Sequence, residues 1–190
     1  MRLRNSIISL LFLTHSVSTI SCGQTSSHEE ALAYYTTIAL QMKDVVPKVQ
    51  AFWGQMKQGI MTAKQNQDQK LDKAALDSLK TSLSHIVTDL DTKIKTVNAI
   101  SKTADNLNFK QVILSYLTET KQLQETAIPK ILELLEIGLD KISNQQKEAL
   151  GQFATKGQEL QTKSTEIEAL SLEYQKEYKI TNDELKKYGL

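Results

Sequence analysis

His28 and His85, the two histidines outside the first 20 residues, are the first candidates for metal or acid–base chemistry. Neither belongs to a His-Glu-x-x-His or Glu-x-x-His pattern, the spacing with which one helix presents two metal ligands. Asp89 follows His85 by one helical turn, but such pairs are ordinary on solvated helix faces. We therefore expect both histidines to be exposed, and we predict no metal site.

Nucleophilic catalysis has no recognisable motif in this chain. It contains neither a Gly-x-Ser-x-Gly turn nor a Gly-rich phosphate-binding loop, which would expose a nucleophile or cradle a phosphate. A helical bundle could still assemble a site from carboxylates on facing helices. However, Glu119, Glu133 and Glu159 fall between apolar positions, where a folded bundle leaves them in water. We predict no catalytic residue and no cofactor, and hence a protein that is not an enzyme.

The only cysteine, Cys22, points to covalent chemistry of another kind. Arg2 and Arg4 precede an apolar stretch between residues 7 and 17 that is too short to span a bilayer comfortably. Basic residues followed by a short apolar run are typical of a cleavable export signal. Cys22 lies shortly after this run, so the cysteine is placed where a signal would end.

The residues around Cys22 resemble a lipobox, the sequence at which a lipoprotein signal peptidase cleaves before a diacylated cysteine. Thr19-Ile20-Ser21-Cys22 matches that pattern at Ile20 and Ser21, and departs from it at Thr19, where an aliphatic residue is usual. We predict lipidation of Cys22. In the alternative, an ordinary signal peptidase cuts at a small-residue site, at Ser16/Ser18 or Thr19/Ser21, and Cys22 is incidental.

These signals divide the chain into three parts: a signal peptide (residues 1–21), a lipidated tether (22–27) and a helical bundle domain (28–190). A tether of about five residues reaches only about 17 Å, so we expect the bundle to lie close to the membrane surface. Gly23 and Gln24 are not the acidic residues that commonly retain lipoproteins in an inner membrane. By resemblance to those sorting rules, we expect a cell-envelope protein at the outer membrane or cell surface.

Charge and composition restrict the body to a narrow set of classes. Arg2 and Arg4 are the only arginines among 23 basic residues, which leaves 21 lysines against 22 acidic residues. A body without arginine and without excess positive charge is unsuited to nucleic acid. Two prolines and 6% aromatic residues, with abundant Lys, Gln, Leu and Ala, are typical of a helix-rich protein.

Apolar residues recur at alternating spacings of three and four along four segments, which predicts four amphipathic helices. The first runs from Ser27 to about Asn66, the second ends near Lys102, the third opens at Asn106 or Asn108, and the fourth at Ser143. Their apolar stripes are Tyr35, Ile38, Met42, Val45, Val49, Phe52 and Met56; Leu76, Leu79, Leu83, Ile86, Leu90, Ile94 and Val97; Phe109, Val112, Tyr116, Leu123, Ala127, Ile131, Leu134 or Leu135, and Ile142; Leu150, Phe153, Leu160, Ile167, Leu170, Tyr174 and Tyr178.

Helix starts and prolines refine this picture. Capping boxes begin at Ser27, Ser143 and Thr181, the last opening a short terminal helix; Asp72 or Asp68 is the candidate cap of the second helix. Pro47 and Pro129 disturb the first and third segments and either kink or break them. Because connections are short, neighbouring helices must run antiparallel. We predict an all-α, coiled-coil-like antiparallel bundle of four long helices with a short C-terminal helix.

The export signal, the cysteine at position 22 and the lysine- and glutamine-rich helical body together resemble small lipoproteins of Gram-negative bacteria. The body is also loosely similar to leptospiral-type helical surface proteins, by pattern alone, and no functional residue transfers from that likeness. The resemblance implies attachment to the membrane through a lipid anchor.

The expected function is a non-enzymatic interaction or structural module that contacts an envelope protein partner through helix faces. Trp53 lies beside the first stripe, where it belongs to the core edge or serves as a partner contact. The alternative is a small-molecule or metal-binding protein with a site inside the bundle. Small or polar residues at stripe positions would favour a cavity if they clustered; these are Thr120, Gly138, Gly157 and Ser164.

Overall fold

A computed structural model describes residues 27–101, 104–105 and 107–190. The described chain forms helices joined by short connections, and it contains no strand. The helices are α1 (His28–Gln65), α2 (Lys73–Ala99), α3 (Phe109–Thr126), α4 (Ile128–Ile137), α5 (Asn144–Glu177) and α6 (Asn182–Lys187), with one 3₁₀ turn, Leu139–Lys141, before α5. The predicted all-α fold is confirmed: α1, α2, the pair α3–α4 and α5 are the four long elements, and α6 is the short C-terminal helix.

Local capping chemistry sets most of the helix starts. All three predicted capping boxes form both of their hydrogen bonds; at Ser27, for example, the hydroxyl accepts from the Glu30 amide at 3.2 Å and the Glu30 carboxylate accepts from the Ser27 amide at 3.1 Å. Asp72 caps α2 by accepting from the amide of Ala75 at 2.9 Å. Each cap satisfies amides that the first helical turn would otherwise leave without partners.

The two prolines have different effects. Helix α1 continues through Pro47, where Val45 and Val49 are buried on either side. Pro129 instead lies in the first turn of α4, two residues after Ala127, the residue that separates α3 from α4. At that position the missing amide costs nothing, because first-turn amides have no partner within the helix. The third predicted helix is therefore two helices.

Ion pairs between helices show that neighbours run antiparallel. Lys48 of α1 bonds Asp89 of α2 at 2.8 Å, and Asp44, one turn earlier on α1, bonds Lys93, one turn later on α2, at 2.7 Å. Lys121 of α3 bonds Asp91 of α2 at 2.7 Å. Because such partly exposed pairs each stabilise by about 1 kcal/mol or less, burial of the apolar stripes must supply most of the stability.

The predicted stripes form the core, with one error on α3. Val112 is 36% exposed, whereas the next residue, Ile113, is fully buried. Helix α3 packs against both α2 and α5, so its apolar surface is wider than one heptad stripe. Among the residues that the structure describes, four polar ones are also buried: Thr36, Lys110, Thr120 and Gln124.

Lys110 joins α2 to α3 in a way that the helix pattern does not indicate. Its ammonium donates to the carbonyls of Asn98, at 2.8 Å, and Ile100 at the end of α2, while its amide donates to Asp105 at 3.1 Å. Asn108 does precede α3, but in the left-handed conformation (φ 53°) and without a side-chain cap bond. The other candidate, Asn106, lies outside the described residues.

The connection between α1 and α2 is bound to the end of α4. The Leu71 amide donates to the Leu135 carbonyl, and the Leu139 amide to the Gln69 carbonyl, both at 3.0 Å. Gly138 has φ +108°, and a Cβ there would lie 2.7 Å from Asp140 Oδ1 and 2.9 Å from the backbone oxygen of Asp68. Gly138 is therefore required by this junction.

Candidate binding cavity between α1, α3 and α5

A cavity of about 810 Å³ lies where α1, α3 and the N-terminal half of α5 face one another. Its apolar lining comes mainly from Val49 and Trp53 of α1 and from Leu150, Phe153 and Leu160 of α5. Ligand-binding cavities commonly have volumes of about 300–1,000 Å³. The size and the apolar walls therefore suit a small organic molecule.

Small side chains on α5 leave this space open. Gly157 occupies a position of the α5 stripe, and a Cβ built there meets nothing within 4 Å. Ala154 and Ser164, one turn before and two turns after it, also line the cavity. Gly157 and Ser164 are half-buried and Ala154 is exposed, so these short side chains leave a gap opposite α1 and α3 that opens toward solvent.

The cavity has a hydroxyl-bearing wall formed by Tyr116 and Thr120 of α3 with Ser164 of α5. Burial raises the pKa of Tyr116, and the nearby hydroxyls of Ser164 and Thr120 partly oppose that rise. Thr120 is 2% exposed, and its hydroxyl makes no hydrogen bond of normal length and angle. By contrast, the Thr36 and Thr88 hydroxyls donate to carbonyls four residues earlier at 2.8 and 2.9 Å.

Trp53 connects two walls of the cavity. Its ring stacks on that of Phe153, with centroids 5.0 Å apart and planes 26° from parallel, so α1 and α5 touch across the gap at this pair. Trp53 is half-buried, as an aromatic residue at a core edge is. Its proposed contact with a partner stays a prediction.

A second cavity, of about 860 Å³, lies between α4 and the start of α5. Ile131, Leu150 and Phe153 line both cavities, so these three side chains form the wall between them. Lys130 and Lys156 line the second cavity but not the first. Glu133 and Glu136 also line the second cavity and balance these lysines, whereas among the described residues the first cavity has only the carboxylate of Glu168.

Glu119 is less solvated than its position between stripe residues suggests. It is half-buried and accepts from Lys163 of α5 at 2.5 Å and from Ser115 at 2.9 Å. Chiefly through the Lys163 bond, the pKa of Glu119 lies below its usual value. This pair fixes α3 against α5 one residue away from Thr120.

His28 is exposed, as expected, but it is not free. Its Nδ1 lies 2.7 Å from the carbonyl oxygen of Tyr178, and its Nε2 lies 2.7 Å from Oε1 of Glu184. Both partners are acceptors, so the doubly protonated ring satisfies both bonds. The pKa of His28 is raised, chiefly by its hydrogen bond with Glu184. The sequence pattern missed this contact because the partners are about 150 residues apart.

His85 is exposed, and its neighbour Asp89 bonds Lys48 instead. Within the described ranges, no three His, Cys, Asp or Glu residues come together as a metal site. Of the four stripe positions that would favour a cavity if they clustered, Thr120, Gly157 and Ser164 line the same space, whereas Gly138 belongs to the α4 junction. Tyr116 and Phe153 were expected only as core residues. The one sequence signal that could have identified them as cavity-lining residues is their position near the short side chains of the stripes.

None of the helices in the described part of the chain is both long and apolar enough to cross a bilayer. Cys22 and the signal-like segment before it lie outside the described residues, so their predicted roles stay predictions. Comparison of the chain with protein-family models, with curated proteins and with solved structures found no match.

Proposed function

We propose that this protein is a lipid-anchored component of the bacterial cell envelope that acts by binding and not by catalysis. The anchor rests on the sequence: Arg2 and Arg4, the apolar stretch and the lipobox-like residues ending at Cys22. Two or more acyl chains on one residue hold a protein at a membrane far more firmly than a single chain does. Gly23 and Gln24 favour the outer membrane or the cell surface over retention at an inner membrane.

The binding role rests on the cavity between α1, α3 and α5. Its lining is apolar, hydroxyl-bearing and amide-bearing, with the one carboxylate of Glu168, a composition that suits recognition of a ligand. Nearby ionisable groups are engaged with each other, as Glu119 is with Lys163. This arrangement favours one form of the function, a small-molecule site inside the bundle, because Thr120, Gly157 and Ser164 line a single space. The other form, contact with an envelope protein near Trp53, uses the same face.

Lipidation is tested by intact-mass spectrometry of the protein purified from cell envelopes. We expect a mature chain that begins at Cys22 and carries the mass of a diacylglycerol. Cys22→Ser should release the protein from the membrane fraction, whereas Ser21→Ala, which keeps a small residue before the cysteine, should leave it anchored. A mature chain that begins elsewhere, or an unmodified Cys22, contradicts the proposal.

The binding role is tested by site-specific photocrosslinking in intact envelopes. A photoreactive residue at Gln50, which lines the cavity and is exposed, should yield defined adducts. The same residue at His85, exposed on α2, is the matched control and should yield none of them. Identical adducts at both positions would show that this face has no specific binding role.

A further inference from the structure

We infer that the cavity between α1, α3 and α5 binds an uncharged single-chain amphiphile, of the class of monoacylglycerols and long-chain alcohols. The inference rests on the proposed binding function and adds the chemistry of the ligand. It follows from the shape of the cavity, from the hydroxyl-bearing wall and from the charges around it.

The apolar walls suit a hydrocarbon chain. Val49 and Ile60 of α1, Ile131 of α4 and Leu160 of α5 line the space, and removal of methylene groups from water onto such surfaces is favourable. The open volume beside Gly157 provides room that no side chain of the protein occupies.

The hydroxyl-bearing wall suits an uncharged polar head. The Thr120 hydroxyl is buried beside the hydroxyl of Tyr116 but has no hydrogen bond of normal length and angle, so it can accept or donate a bond to a better-placed partner. Hydroxyl groups both donate and accept. A ligand hydroxyl or ester carbonyl placed against Tyr116, Thr120 and Ser164 would therefore satisfy Thr120.

The charges disfavour an anionic head. Glu168 is the one charged side chain among the described residues that line this cavity, and Lys163 of α5 is held by Glu119. The lysines at positions 130 and 156 line the neighbouring cavity. A carboxylate or phosphate beside Thr120 would lose its hydration without gaining a counter-charge.

The stacked rings of Trp53 and Phe153 disfavour a protein helix as the occupant of the cavity. A helix with its side chains is about 10–12 Å across, whereas the rings of Trp53 and Phe153 meet across the gap with centroids 5.0 Å apart. A helix could enter only by separating these rings. A single hydrocarbon chain is thin enough to lie beside them.

Trp53 is the only tryptophan in the chain, so all tryptophan emission reports on the cavity wall. The full-length protein, purified as the cell processes it and held in an amphipol, is titrated with monooleoylglycerol brominated across its double bond. Bromine quenches a tryptophan only on close approach. We expect saturable quenching, and about tenfold weaker binding of the equally brominated ionised oleate, because its charge is desolvated without a partner.

Three variants separate binding from folding. Gly157→Leu places a side chain in the cavity and adds helix propensity, so affinity should fall at least about tenfold without a fall in melting temperature. Gly151→Leu, an exposed glycine on the same helix with open space around it, is the matched control and should bind normally. Thr120→Val keeps the shape but removes the hydroxyl, and should weaken binding about fivefold with no loss of melting temperature.

Quenching that does not saturate, or that is equal in Gly157→Leu and the wild type, overturns the site. Oleate that binds as tightly as the monoacylglycerol overturns the uncharged head. Either failure is distinct from failure of the proposed function, which depends on the mass at Cys22 and on crosslinks from position 50.

Discussion

The C-terminal half of α5 is packed into an aromatic cluster, whereas its N-terminal half lies over two cavities. Tyr174 is fully buried and donates its hydroxyl to the Ala104 carbonyl at 2.7 Å. The rings of Tyr35, Phe109 and Tyr178 lie 5.5, 5.3 and 4.6 Å from its own. Gln175 adds a bond to the Tyr35 hydroxyl at 2.7 Å. This end of the bundle combines dense ring packing with the hydrogen bonds of Tyr174 and Gln175.

The N-terminal half of α5 has the same helical geometry without such packing. Leu150 and Phe153 are only half-buried, and neither Gly151 nor Gly157 has a neighbour within 4 Å of an added Cβ. Helix α5 is thus anchored by dense packing at its C-terminal end and borders open space at its N-terminal end. Local stability follows the density of buried contacts, so ligand binding is expected where that density is low.

The largest expected effect is the difference between truncating an aromatic residue at each end. Tyr174→Ala should destabilise by about 3–5 kcal/mol, as for other large buried aromatic residues, because it removes a buried hydrogen bond and the ring contacts with Tyr35, Phe109 and Tyr178. Phe153→Ala should cost less than about 1.5 kcal/mol, since its half-exposed ring already borders empty space. Denaturant unfolding monitored by circular dichroism measures both. Equal losses would mean that the two halves are packed alike.

A smaller effect is expected from replacing a glycine by alanine at positions 157 and 138. Gly157→Ala should stabilise by about 0.5–1 kcal/mol, because it removes the helix penalty of glycine without a clash. The same change at Gly138 should destabilise by about 1–3 kcal/mol, because of its positive φ and the two oxygens within 3 Å of the new Cβ. Thermal unfolding of the two variants gives the signs. A loss of stability at position 157 would show that the cavity does not exist in solution.

The smallest effect is the pH dependence of the contact between His28 of α1 and Glu184 of α6. The raised pKa of His28 means that its contribution is fully present below the ordinary value of 6.5 and is lost as the pH rises through the folded-state pKa. Hydrogen bonds from the Thr181 backbone, and then from His28, lower the pKa of Glu184 from 4.5 to about 2. Its contribution is therefore present above 4.5 and is lost as the pH falls toward 2.

The contact between α1 and α6 should accordingly be strongest between pH 4.5 and 6.5. Amide exchange in α6, followed by nuclear magnetic resonance across that range and above it, should show protection that decreases at higher pH. His28→Gln should remove the dependence, and His85→Gln, at an exposed histidine of α2, should preserve it. Protection that stays constant with pH in the wild type would contradict the assigned bonds.

Much of the secondary structure was determined by the sequence alone. The capping boxes at Ser27, Ser143 and Thr181 and the cap at Asp72 are local signals, read within four residues, and all four form as expected. The heptad stripes identified most of the core because the helical period is itself local. The sequence named small or polar residues at stripe positions that would favour a cavity if they clustered, and three of them, Thr120, Gly157 and Ser164, line one space.

Other features were decided only by tertiary structure. Pro47 and Pro129 occur in similar Val-Pro-Lys-Val and Ile-Pro-Lys-Ile segments, yet only the second marks a helix boundary. The burial of Ile113 in place of Val112 depends on α3 having packed neighbours on two sides. Periodicity within one segment carries no information about such neighbours.

The contacts that span the chain show the same limit most clearly. His28 with Glu184, and Trp53 with Phe153, join residues more than 90 positions apart, and no local pattern distinguishes them from solvated or core-edge side chains. The sequence alone determined where helices begin, which helix faces are apolar and which stripe positions carry short side chains. Whether these short side chains border a single cavity depends on how α5 packs against α1 and α3, because the cavity is lined by side chains from separate helices.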